Sequence, residues 1–146
     1  MKIRTPILFA AALLSLAASS QAQQVEIGKT EFMLRCAACH GPGGKGDGAV
    51  GQLLKVPPPD LTRIAERNGG TFPFQRIYDI IDGRQAIAAH GTREMPVWGD
   101  SYRAEQFPMK PLAENATEAQ IDAPERAVER YILALVYYIG TLQGQN

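Results

Sequence analysis

The chain has 146 residues, with 15 basic and 15 acidic side chains for a formal net charge of zero, and only two cysteines. That length accommodates one domain around one small core. The broad basic surface that phosphate binding demands is missing, which excludes nucleic acid as a ligand class.

At the N-terminus, Lys2 and Arg4 precede an apolar run from Ile7 to Ala18 that leads into Ser20-Gln21-Ala22. This order is that of a secretory signal peptide over residues 1–22, cut after Ala22 at a small-x-small site. The run is shorter than the roughly 20 residues that span a bilayer, so no stable membrane span is expected after cleavage. An uncleaved anchor is the alternative. The expected location is the periplasm of a bacterium, and residues 23–146 form the expected domain. Without Lys2 and Arg4 the basic count falls from 15 to 13 against 15 acidic residues, a formal charge of about 13 − 15 = −2.

Residues Gly28 to His40 read as a helix with Ile27, Phe32 and Leu34 among its apolar positions. A glycine-dense stretch from Gly41 to Gly51 must then turn irregularly. Leu53 and Leu54 open a short helical turn, which Pro57, Pro58 and Pro59 end. Asp60 to Arg67 reads as another short helix, closed by Asn68-Gly69-Gly70. Between Pro73 and Asp82, Phe74, Ile77, Tyr78 and Ile81 recur at spacings of three and four, and Gly83 stands where a C-cap belongs. From Gly83 to Asp122 there is no long periodic element, and residues 99–122 read as a polar loop insertion.

The last helix carries the clearest pattern. Asp122 and Glu125 have capping-box spacing, with Pro124 tolerated in the first turn. Val128, Ile132, Leu135, Ile139 and Leu142 follow as one stripe, with Tyr131 and Tyr138 beside it. No strand signal competes with these helices, so the expected class is all-α.

The chemistry concentrates at Cys36-Ala37-Ala38-Cys39-His40. In an exported protein a pair this close closes only a small loop, and a disulfide there staples little. Two thiols three residues apart at a helix end can each add to one vinyl group of a haem, with the adjacent imidazole directed at the iron. A thioredoxin-like redox pair needs a βαβ context. A structural zinc site needs further ligands, which only His90 and carboxylates could supply.

The second axial ligand must come from far along the chain. Met95, in Met95-Pro96-Val97-Trp98-Gly99, is the best candidate: a thioether is a soft donor that suits low-spin iron and raises its potential. Met109 and His90 are the rivals, and Met33 reads as a core gap-filler. Two literal G-x-G-x-x-G matches, Gly41 to Gly46 and Gly46 to Gly51, follow no strand, so a dinucleotide site is not expected. Their small residues would instead let the backbone run close to the porphyrin edge.

With these residues placed, the chain resembles the class I cytochrome c family over residues 25 to 143. The resemblance implies four to five helices wrapped round one covalently attached haem c, with the first and last helices crossing. Gly28 and Phe32 match the small and aromatic positions of that crossing, and Leu135 and Tyr138 their partners. Pro59-Asp60-Leu61 is similar to the segment whose proline carbonyl accepts a hydrogen bond from the proximal imidazole, which places Pro59 and Leu61 among the cofactor contacts. Trp98 is similar to an aromatic packed near the propionates, and Arg63 and Arg84 could neutralise them.

The implied function is one-electron transfer by a single haem with His40 and Met95 as iron ligands, and no enzyme activity of its own. Expected partners are a dehydrogenase, a respiratory complex or a terminal oxidase. The alternatives are a fixed cytochrome subunit of such a complex, or a ligand sensor or peroxidase-like protein with a displaceable methionine.

Overall fold

The computed structural model describes residues 21–84, 95–106 and 117–144. The export segment up to Ser20, His90 and Met109 lie outside the described residues. Among the described residues every regular element is helical. Helix α1 covers residues 21–40, α2 Ile64–Arg67 after a 3₁₀ turn at Leu61–Arg63, α3 Phe74–Asp82, α4 Trp98–Gln106 and α5 Glu118–Thr141. No described helix is long and apolar enough to cross a membrane.

α1 and α5 cross at Gly28. A Cβ there would stand 2.5 Å from the carbonyl carbon of Ala134 and 2.9 Å from Cβ of Tyr138, so only hydrogen fits between the two backbones. One turn on, the Phe32 ring meets the Tyr138 ring at 5.3 Å between centroids. The expected stripe on α5 is the core: Val128, Ile132 and Leu135 are fully buried, and Ile139 and Leu142 nearly so. Ile77 and Ile81 of α3 close it from another side. Gly83 caps α3 in the left-handed region at φ 67°, its N–H donating to the Asp79 carbonyl at 3.0 Å.

Five sequence expectations need correction. First, α1 is not a uniform helix. Residues Phe32–Cys36 form a π turn in which the Ala37 N–H donates to the Phe32 carbonyl. The inserted residue rotates everything after it by roughly 100° relative to a regular helix.

Second, α4 lies inside the stretch read as a polar loop. Its first half, Trp-Gly-Asp-Ser-Tyr, is poor in strong helix formers, and only Arg-Ala-Glu-Gln at its end favours a helix. Tertiary contacts sustain it instead: Tyr102 is 1% exposed and stacks on Tyr131, rings 9° from parallel.

Third, α5 starts at Glu118, so Pro124 falls inside the helix and no capping box forms. The Glu125 carboxylate instead faces the end of α3 and α4, where it accepts from Arg84 Nη1 at 2.8 Å and pairs with Arg103.

Fourth, the glycine loop folds onto protein backbone. Val50 N–H donates to the Ala38 carbonyl and Gly46 N–H to the His40 carbonyl. A Cβ on Gly48 would meet the Cys39 carbonyl group at 2.6 Å, and one on Gly51 would meet Pro58 at 3.0 Å. The absence of side chains thus packs this loop around the Cys-His turn. Met33 also departs from expectation: it is 45% exposed and fills no core gap.

Candidate functional site

The end of α1, the proline segment, α3 and the start of α4 enclose a cavity of about 810 Å³. This is near the top of the range of roughly 300–1,000 Å³ usual for small-molecule sites. All seven sequence-predicted residues border it: Cys36, Cys39, His40, Pro59, Leu61, Met95 and Trp98. Arg63 and Arg84 do not. Arg63 is forked onto Glu66 on the surface, and Arg84 bridges Asp82 and Glu125.

Local structure explains how each residue arrives. The π turn ends on Cys36, and the glycine loop folds around Cys39 and His40. The three prolines keep residues 57–59 extended. Asp60 then starts the next turn by accepting from Thr62 N–H at 2.8 Å and Thr62 Oγ1 at 2.7 Å. Leu61 is anchored twice: its N–H donates to the Gly44 carbonyl, and its carbonyl accepts from Gln143 Nε2 near the C-terminus. Met95 is partly buried against the core three residues before α4 begins.

Sequence reading missed part of the wall. Ile64, Ile77, Ile80 and Ile81 supply apolar surface, and Arg35, Arg67 and Arg76 contribute cations. Ile77 and Ile81 were legible as a helix stripe but not as a cavity lining. Arg35 sits beside Cys36 in sequence, yet its role depends on α4, which sequence reading missed.

Electrostatics at the site favour neutral ligands on α1. Burial holds the His40 imidazole below its ordinary pKa, while the neighbouring Pro59 carbonyl pulls it up. That carbonyl falls short of hydrogen-bond geometry, and Nδ1 is buried without a partner among the described residues. The two cysteines are free. Burial, followed by the Glu31 carboxylate, pushes the Cys36 thiol up to about 12, so it stays protonated. Burial and Glu31 likewise raise the Tyr102 phenol, which remains a donor to Glu31 Oε2 at 3.0 Å.

Among the described residues no three His, Cys, Asp or Glu side chains gather to hold a metal ion. Neither glycine match follows a strand among the described residues, and the cysteine pair has no βαβ setting.

The cytochrome c profile matches residues 25–143. The chain belongs to the cytochrome c family. No curated protein and no solved structure gives a match. Cytochromes c bind covalently attached haem c and carry electrons. The residues present fit that group: two unpaired thiols and a buried imidazole with an orphaned nitrogen border one large, mainly apolar cavity rimmed by arginines.

Proposed function

We propose that this cytochrome c is a periplasmic carrier of single electrons. Cys36 and Cys39 hold one haem c through thioethers, and His40 and Met95 ligate its iron. The haem supplies the redox chemistry.

The chain's own residues do the rest. A small approach of the Pro59 carbonyl to Nδ1–H of His40 would give that nitrogen the partner it lacks, fix the tautomer and leave the other nitrogen free to bind iron. Leu61, Ile77 and Ile81 keep water from the cavity, and Trp98 covers its wall beside Met95. Arg67 and Arg76 offer positive charge to the carboxylates of the macrocycle. Redox proteins such as a dehydrogenase, a respiratory complex or a terminal oxidase supply and remove the electrons.

One observation carries this reading: Cys36, Cys39, His40 and Met95, separated by up to 59 positions in sequence, border a single cavity. Expression in a host that attaches haem to thiols tests it. The exported protein is expected to weigh one haem more than its polypeptide and to show the weak far-red band of a methionine–iron bond in the ferric state. In Met95→Ala that band disappears and the reduced protein binds carbon monoxide. An unshifted mass, or a band that survives in Met95→Ala, refutes the proposal.

A further inference from the structure

α1 carries the cysteine pair and His40, and α4 begins three residues after Met95. One side chain bridges the two. Arg35, adjacent to Cys36, donates from Nε to Glu31 Oε2 at 2.9 Å and extends both terminal nitrogens to the Glu105 carboxylate on α4. Its guanidinium carbon lies 4.9 Å from the Tyr102 ring centroid and 5.9 Å from that of Trp98, both on α4. Tyr102 returns the connection by donating to Glu31 on α1. The group is a closed set of one cation, two carboxylates and two aromatic faces. The Arg35 side chain is 23% exposed and that of Glu31 14%, so solvent screens this pair less than a surface pair, whereas Glu105 is 50% exposed and its hold on Arg35 rests on the two-pronged geometry of the fork.

We infer that Arg35 is a positioning residue that clamps the helix after Met95 to the helix bearing His40 and thereby sets how readily the methionine sulfur leaves the iron. The inference rests on the axial ligation proposed above. An external ligand can bind only after the Met95 segment swings away, and its apparent affinity scales with the fraction of molecules that are open. Opening that draws α4 from α1 breaks the fork to Glu105 and the stacking of Arg35 on Tyr102 and Trp98. On its other side α4 stays tied to α5 through the Tyr102–Tyr131 stack and the Arg103–Glu125 pair, so loss of the clamp loosens the segment without unfolding the helix.

The test uses the haem-loaded protein and imidazole as the probe, titrated into the ferric form and followed by loss of the far-red band. Arg35→Lys keeps the charge but loses the planar fork and the stacking surface. Glu105→Gln keeps the shape but removes the charge, and its partly exposed position makes it safe for folding. Each is expected to bind imidazole about tenfold more tightly than the parent, equivalent to about 1.4 kcal/mol. Val136→Ala, a core truncation in α5, lowers the urea midpoint but leaves imidazole affinity where it was, which separates clamping from general destabilisation.

Unchanged affinity in both Arg35→Lys and Glu105→Gln, with the parent band intact, overturns the clamp and leaves the ligation reading standing. An equal gain in Val136→Ala also overturns it. A parent protein that lacks the band overturns both.

Discussion

Replacing Gly28 by alanine separates tertiary packing from local preference by the sign of its effect. Gly28 lies within α1, where alanine is favoured over glycine by about 1 kcal/mol. Considered as a helix alone, Gly28→Ala stabilises. At the crossing, however, the new Cβ would lie 2.5 Å from the Ala134 carbonyl carbon and 2.9 Å from Tyr138 Cβ. Carbon–carbon contact is comfortable only from about 3.5 Å. The obstacle is the backbone of α5, which cannot rotate aside, so the two helices must separate by about 1 Å.

A gap of that size forfeits a quarter to a half of the dispersion energy of each contact across it. Those contacts include fully buried Phe32 and Leu135. Overpacking of this kind costs roughly 1–3 kcal/mol, and a rigid obstacle places the cost near 3. Subtracting the helical gain leaves a net loss of about 2 kcal/mol. Urea denaturation of the haem-loaded protein, followed by far-ultraviolet circular dichroism, reads that loss as a lower midpoint at unchanged slope. A Gly28→Ala protein as stable as its parent, or more so, refutes the crossing.

Two further substitutions probe other joints. Gly99→Ala places a Cβ 2.5 Å from Arg84 Nε and 2.9 Å from the Asp82 carbonyl, where α4 meets the end of α3; a loss of about 1–3 kcal/mol in the same denaturation assay is expected, and no loss means this joint gives way freely. Asp60→Ala removes the cap on Thr62 and is expected to cost about 1 kcal/mol at neutral pH. Its hydrogen bonds from Thr62 hold the Asp60 carboxyl below the usual range, so its contribution is complete above the unfolded value of about 3.9 and is lost as pH falls through the lower folded value. The stability difference between Asp60→Ala and its parent therefore vanishes in acid, and a difference that persists there assigns the effect to something other than the carboxylate.

Signals confined to one helix or one turn were readable without the fold. The Cys36 to His40 motif needs only adjacent positions. The cap at Gly83 and the stripe from Val128 to Leu142 express one helical period. What escaped was set by distant partners. The first half of α4 has weak intrinsic preference and is held because Tyr102 is buried against Tyr131 and bonded to Glu31. Glu125 has the spacing of a cap residue, yet Arg84, just past α3, and Arg103 on α4 engage it. The glycines between Gly41 and Gly51 announced close approach but not to what, because the surface approached is the chain's own Ala38, Cys39 and Pro58.

The amino-acid sequence by itself determined the local chemistry: two thiols and an imidazole at a helix end, a methionine before a proline, and helical faces able to form a core. Only the tertiary structure decided that Met95 borders the same cavity as His40, that a π turn ends on the first of the two cysteines, and that Arg35 joins their helix to α4. Periodicity and motif spacing depend on neighbours within about a turn. Which surfaces meet depends on packing between segments tens of residues apart, and no local pattern encodes that distance.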